Sequence, residues 1–238
     1  MMSYVFDVDG TLTPSRGKMN KEFHDWFLNE FIPSNKVYLV TGSDYPKTVE
    51  QVGKQVCESV EYVMNCSGNH IWRHGKEHMR SEWKLPIMME EWLEAELQNS
   101  TFPLRTGTHI EHRTGLCNFS IVGRGATMGE RKLYKEFDES HEERSYIAKV
   151  FNENFVKHGV IAQVAGDTGI DIMEVGKDKA QVATFLYEEN ITFFGDKMEK
   201  GGNDWPLKNA LSSKQGSQSI HVDSWEDTYE CLKIMVYN

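Results

Sequence analysis

A short apolar run, Tyr4-Val5-Phe6, leads directly into Asp7-Val8-Asp9-Gly10-Thr11-Leu12-Thr13. Two aspartates one residue apart, at the end of a buried-type strand and just before a glycine turn, are poorly explained by folding alone. Carboxylates are rarely fully buried without a partner, and two of them within a few ångströms repel each other. A bound cation resolves that conflict, and it frees one carboxylate to act as a nucleophile while the other handles a proton. A bare Asp-X-Asp is usually just an acidic, solvent-facing strand end. The Gly10-Thr11 that follows, and Thr13-Pro14 soon after, set this one apart.

The 238 residues are enough for one full domain plus a sizeable insert. With 39% hydrophobic and 26% charged residues, the composition is that of an ordinary soluble globular protein. No apolar run approaches membrane-spanning length, and no basic region precedes a leader-like core, so neither a membrane nor a leader is expected. Cys57, Cys66, Cys117 and Cys231 share no metal-type or redox-type spacing and read as free thiols of a reducing cytoplasm. A net charge of −10 argues against a nucleic-acid or anionic-membrane partner. An acidic chain that handles phosphate must therefore concentrate arginine locally.

The first third alternates strand and helix. Phe23, Phe27 and Phe31 recur every four residues and mark one apolar helix stripe, which Pro33-Ser34-Asn35 ends. Val37-Tyr38-Leu39-Val40 is a buried-type strand, and Thr41-Gly42-Ser43-Asp44 turns into another helix capped by Ser43 or Asp44. Such repeats predict an α/β fold with a Rossmann-like parallel-sheet core and helices on both faces. Ligands on such sheets bind at the carboxyl ends of the strands, where Asp7 and Thr41 sit. The middle differs: residues 90–97 read as a short acidic helix, 108–120 as a hairpin around Thr114-Gly115, and 130–155 as one or two amphipathic helices. This is an inserted α+β cap domain over residues 80–178, splitting a core of 1–79 and 179–238. Ile191-Thr192-Phe193-Phe194, a strand near 219–222 and a helix over 225–235 complete the core.

Residues 7–13 resemble the nucleophile loop of the haloacid dehalogenase superfamily, mostly Mg2+-dependent phosphatases and phosphomutases. The resemblance implies that Asp7 becomes an aspartyl-phosphate, that Asp9 is the general acid/base, and that the Asp9 backbone carbonyl ligates Mg2+. The remaining pieces of such a site follow in order. Thr41 can hydrogen-bond a phosphoryl oxygen, and Lys179 can neutralise the nucleophile and the phosphoryl charge. Asp7, Asp9 and Asp196 are then the metal residues, with Asn203 and Asp204 orienting the metal shell or its waters. Singly, each is an ordinary turn former or surface charge; their order at successive strand ends makes them a set.

Positive charge gathers in the insert at Arg113, Arg124 and Arg131. Arginine forks suit bidentate phosphate recognition, and strand alternation puts His109, Glu111 and Arg113 on one face. The same alternation sends His109 and His112 to opposite faces, so they do not share a zinc site. Residues 108–120, Gly123-Arg124 and Glu130-Arg131 resemble the cap of eukaryotic-type phosphomannomutases. The resemblance continues in Phe193-Phe194-Gly195-Asp196-Lys197, Gly201-Gly202-Asn203-Asp204, residues 7–16 and Gly42-Ser43-Asp44, and so spans nearly the whole chain. It implies that Arg113, Arg124, Arg131 and Asp171 surround the sugar phosphate, with Arg16 contacting it from the core. By alternation alone, Asp171 between Ile170 and Ile172 reads equally well as an exposed strand position. One departure stands out: a serine of the family pattern falls on Gly169, leaving backbone contact or Thr168 to replace it.

The function so implied is interconversion of mannose 6-phosphate and mannose 1-phosphate, with Mg2+ as cofactor and a sugar 1,6-bisphosphate as activator. The partners implied are a sugar monophosphate substrate and a second copy of the chain, in a cytoplasmic homodimer joined through the cap domains. Two alternatives stand beside it. In a Mg2+-dependent sugar-phosphate phosphatase, water resolves the phosphoenzyme; the arginine triplet speaks against it and Gly169 keeps it open. A non-catalytic scaffold would typically have lost the nucleophile or the metal aspartate, and both remain.

Overall fold

Ser3 to Asp7 form strand β1, buried at every position, in a computed structural model that describes residues 3–187 and 190–237. The chain continues through α1 (Lys21–Trp26), α2 (Ile32–Ser34), β2 (Lys36–Val40), α3 (Tyr45–Val52), α4 (Lys54–Ser59), β3 (Tyr62–Asn65), β4 (His70–Arg73) and β5 (Lys76–Arg80). An insert follows, with α5 (Ile87–Asn99), β6 (Ile110–Arg113), β7 (Leu116–Phe119), α6 (Met128–His141), α7 (Glu143–Phe155), β8 (Val160–Ala165) and β9 (Gly169–Glu174). The chain then returns through β10 (Ile191–Gly195), α8 (Trp205–Leu211), β11 (Gln218–His221) and α9 (Trp225–Tyr237). One unit comprises the chain up to Arg80, Lys177–Lys200 and the part from Asp204 onward; the other comprises Ser81–Gly176 with Gly201–Asn203.

The first unit carries a sheet of order β11-β10-β1-β2-β3-β4-β5. Its first five strands are parallel, as the α/β pattern requires, and β4 and β5 extend it antiparallel. That ribbon is absent from the sequence reading because β5, Lys-Glu-His-Met-Arg, is largely exposed and shows no apolar alternation. Phe23, Phe27 and Phe31 are all buried. Their helix is not uniform: α1 passes into a π-helical stretch, Phe27–Phe31, before α2. Residues four apart drift around an α-helix, and the wider π turn offsets that drift, so the three rings stay on the sheet. Phe31 and Phe27 both pack edge-on to Phe6, which stacks on Phe194 at 5.2 Å between ring centroids.

The second unit holds an antiparallel sheet of order β6-β7-β9-β8. One face supplies Cys117, Phe119, Ile170, Ile172 and Ala162 to a core shared with Leu93, Tyr134 and Phe151 of the three helices. The other face carries a cross-strand row, Glu111–Asn118–Asp171–Gln163, set by the register. The region 130–155 is two helices, broken at Glu142 with φ 52°, and the acidic helix of 90–97 is longer at both ends. Thr127 and Glu130 form a reciprocal cap at the start of α6. Among the described residues, no helix is long and apolar enough to cross a membrane.

Candidate active site

Asp7 ends β1, Thr41 follows β2 and Asp196 follows β10. Because Phe6 lies beside both Phe194 and Leu39 in the parallel register, all three polar residues emerge at one edge of the sheet. Past Asp7 the chain turns at once: the Val8 carbonyl accepts from the N–H groups of Thr11, Leu12 and Thr13, and Gly10 N donates to Thr13 O at 2.9 Å. Gly10 has φ +80°, and a Cβ there would lie 2.5 Å from Asp196 Oδ2. The glycine is thus required twice, by the turn and by the carboxylate packed against it. Gly10→Ala is expected to push Asp196 aside and weaken Mg2+ binding by at least about tenfold, the scale of losses when a metal ligand loses its support. Isothermal titration calorimetry with Mg2+ checks this, and an unchanged affinity would remove Asp196 from the metal site.

The electrostatic centre is Lys179. Its Nζ donates to Asp7 Oδ1 at 2.5 Å and to Asp204 Oδ1 at 2.7 Å, with all three residues almost wholly buried. Lys179 opens a 3₁₀ turn, Lys179–Phe185, whose first turn is capped by the Asp178 side chain on Ala180 N. The carbonyl of Lys177 just before it is held by Asn69 Nδ2 and Gln181 Nε2. Burial pushes the Asp7 carboxyl well above its ordinary range; Lys179 opposes that shift, and Asp204 and Asp196 add to it. Burial likewise raises Asp196, against the pull of Lys197. For Lys179 burial alone would favour the neutral amine, but the Asp204 and Asp7 carboxylates outweigh it and keep the ammonium charged.

Asp7, Asp196 and Asp204 place carboxylate oxygens within 4.8 Å of one another. Three carboxylates against the Lys179 and Lys197 ammonium groups leave the cluster short of positive charge. An all-oxygen, anionic donor set is what Mg2+ prefers, so these residues fit a divalent cation. The Asp9 carboxylate is not in that group; the sequence reading assigns it a backbone carbonyl ligand instead. Asp204, expected only to orient the metal shell, is both a direct partner of Lys179 and a member of the trio. Asn203 beside it has a buried Oδ1 with no hydrogen-bond partner among the described residues.

Asp9 stands apart and is held by hydrogen bonds. Its Oδ1 accepts from Arg16 N at 2.6 Å and from Gln51 Nε2 at 2.9 Å, and Ser43 Oγ lies 3.5 Å from its Oδ2. Arg16 reaches this position with φ 59°, a left-handed conformation that non-glycine residues rarely adopt. Thr41 is buried, its Oγ1 accepts from Ser43 N at 3.1 Å, and Asp44 caps α3.

In the second unit, Glu111 gathers two of the three expected arginines. Its Oε2 accepts from Arg113 Nε at 2.8 Å and lies 3.1 Å from Arg124 Nε. Arg131 is buried in the first turn of α6. Asp171 is buried rather than exposed, because Asn118 on the neighbouring strand donates to its Oδ1 at 2.6 Å. Asn118 also fills the space above Gly169, where a Cβ would meet its Nδ2 at 2.6 Å. The structure therefore joins Asp7, Lys179, Asp196 and Asp204 in one cluster, and Arg113 with Arg124 through Glu111. Asn118 and Gln51 carry no sequence signal: each is a polar residue at an inward position of an otherwise ordinary element.

Comparison with known proteins follows the same lines. The family model described as Eukaryotic phosphomannomutase matches residues 24–237. A phosphomannomutase of Spinacia oleracea is 34% identical over 242 residues, covering 98% of this chain and 95% of its own. A phosphomannomutase of Dendrobium officinale is 33% identical over 239 residues, covering 97% and 92%. Among solved structures, a haloacid dehalogenase-like hydrolase from Bacteroides thetaiotaomicron shares the fold at a TM-score of 0.61 and 11% identity, covering 98% of this chain and 99% of that one.

Proposed function

Since the chain belongs to the eukaryotic phosphomannomutase family, we propose that it interconverts mannose 6-phosphate and mannose 1-phosphate through an aspartyl-phosphate on Asp7. The observation that carries this reading is Lys179, buried between Asp7 and Asp204 in a cluster with Asp196. In the proposed cycle a sugar 1,6-bisphosphate phosphorylates Asp7. An Asp7 oxygen forms a bond to phosphorus as the sugar–oxygen bond to phosphorus breaks, and Asp9 gives its proton to the departing oxygen. In the return step Asp9 takes the proton of the attacking sugar hydroxyl, and the phosphoryl group leaves Asp7. Lys179 stays charged throughout and offsets the charge on Asp7 and the phosphoryl oxygens. Mg2+, held by Asp7, Asp196 and the Asp9 carbonyl with Asp204 beside them, would neutralise charge on the transferring group. Thr41 would hold a phosphoryl oxygen.

Arg113, Arg124, Arg131 and Asp171, with Arg16, are proposed to hold the phosphate that is not being transferred and the sugar hydroxyls. Two guanidinium groups already oriented by one carboxylate support this, since an incoming phosphate meets prearranged donors. The same reading includes a cytoplasmic homodimer joined through the caps, and four free cysteines agree with a reducing compartment. The phosphatase alternative draws its support from Gly169, where the family serine is replaced and Asn118 fills the space.

Phosphorus NMR separates the two. With Mg2+, mannose 1-phosphate and a trace of glucose 1,6-bisphosphate, the expected product is mannose 6-phosphate without free phosphate. Inorganic phosphate as the main product would replace the mutase by the phosphatase, and no change at all would overturn both for this sugar.

A further inference from the structure

We propose that Gln51 is a positioning residue for Asp9, fixing the acid/base carboxylate so that Oδ2 is the oxygen that carries the proton. The inference rests on the reading of Asp9 as acid/base. Gln51 is 3% exposed and sits in the last turn of α3, a place where an amphipathic helix would ordinarily bury an apolar side chain. Its amide nitrogen lies 2.9 Å from Asp9 Oδ1, 3.2 Å from Thr13 Oγ1 and 3.4 Å from Gly17 O. Thr13 Oγ1 donates its own hydrogen to a carbonyl, Val8 O or Pro14 O, so it faces Gln51 as an acceptor. All three neighbours are acceptors. Turning the amide over would set its oxygen against a carboxylate oxygen and a carbonyl, which fixes the orientation chemically.

Two N–H groups, those of Gln51 and Arg16, thereby converge on Asp9 Oδ1. An oxygen with both lone pairs so committed cannot take up a proton without surrendering a hydrogen bond. The proton is directed to Oδ2, whose only hydrogen-bond contact among the described residues is the long one of 3.5 Å from Ser43 Oγ. Ser43 immediately precedes Asp44, the N-cap of α3, and Gln51 lies in the last turn of that helix, so the two oxygens of Asp9 are contacted from just before the helix and from its far end. The Gln51 backbone also takes part: its carbonyl accepts from Met19 N at 2.8 Å, pinning the loop that carries Arg16. A purely structural role for Gln51 would be to hold that loop. A positioning role makes a different prediction, because a misplaced acid slows a reaction in proportion to how much its leaving group needs a proton.

The test compares single-turnover phosphorylation of the full chain by 4-nitrophenyl phosphate and by phenyl phosphate, whose leaving oxygen is the more basic. In Gln51→Leu the ratio of the first rate to the second is expected to rise at least about tenfold, a fraction of the 10²–10⁴-fold that a general acid supplies. Equal losses with both donors, or no loss, would overturn the proposal. Should Gln51→Leu lose its native circular dichroism, Gln51→Met, close to glutamine in length and volume but without its N–H groups, gives a second reading: the same rate ratio is expected to rise, and an unchanged ratio would overturn the proposal. Neither donor contains a sugar. A chain that failed with mannose 1-phosphate would still answer this question, so the two readings fail separately.

Discussion

Replacing Asp7 by Asn will lower turnover by at least about 10⁴-fold while leaving the protein as stable as the parent or more so. Asn has the shape of Asp, but its amide cannot attack phosphorus, and no other carboxylate is held at the Asp7 position. Covalent phosphoenzyme, followed by phosphorus NMR or by retention of radioactive phosphate, is expected to disappear. Turnover within about a hundredfold of the parent would put the nucleophile elsewhere. The stability half follows from the same cluster. Burial pushes the Asp7 carboxyl up, with Asp204 and Asp196 adding to that shift against Lys179. An acid whose pKa is raised by folding binds more protons folded than unfolded. It favours the fold at low pH, and that advantage is lost as pH rises past the ordinary carboxylate value of about 3.9. Asn carries no such pH-dependent cost. In Mg2+-free buffer the thermal midpoint of Asp7→Asn should therefore match or exceed the parent's near neutral pH, and any gain should vanish at about pH 4. A midpoint that falls at neutral pH would mean the carboxylate holds the fold together, and a scaffold that kept its cellular role in this variant would need no phosphoenzyme.

The parts legible in the sequence were those where one residue type meets a local rule. The Asp7-Val8-Asp9-Gly10 turn, the strand ends at Thr41 and Asp196, and the hairpin at Thr114-Gly115 each combine an apolar run with a backbone requirement that few residues satisfy. Gly115, with φ 68°, sits in the hairpin turn for that reason. What stayed hidden depends on pairing between distant segments. Asp204 reaches Lys179 across 25 residues, and nothing in Gly-Gly-Asn-Asp says that its aspartate faces an ammonium rather than water. Asp171 alternates with isoleucines whether or not its face is covered. Only the register beside Asn118 decides that it is buried and bonded. Gln51 shows the same limit from the other side, since a helix reading assigns polar residues to solvent. The β4–β5 ribbon was lost because an exposed, charged strand has no period for pattern reading to find.

Lys179→Met tests whether that hidden pairing is what the site is built around. The Met side chain keeps much of the stem's length and packing but leaves Asp7 and Asp204 facing each other in a buried space without a counter-charge. Breaking a buried pair in this way costs about 3–5 kcal/mol, far more than an exposed ion pair is worth. Turnover is expected to fall by about 10²–10³-fold as charge stabilisation at the phosphoryl group is lost. The loss of stability should depend on pH with a definite sign. In the parent, Lys179 has its pKa raised by two carboxylates that outweigh burial, so its contribution is present at neutral pH and on the alkaline side is lost only as pH rises past the ordinary lysine value of about 10.4. In the variant Asp7 escapes repulsion by protonating, which raises its folded-state pKa further. The variant therefore recovers as pH falls, and the gap to the parent at pH 5 should be smaller than at pH 7.5 by about 1–2 kcal/mol in denaturant titrations. Mg2+ should act in the same direction, raising the thermal midpoint of the variant more than that of the parent, because the more anionic cluster binds the cation more tightly in the folded state alone. A gap that stays constant across pH and Mg2+ would show that Lys179 matters through the packing of its stem. A gap that closes under both would tie the folding cost of this site to the charge arrangement that makes it reactive.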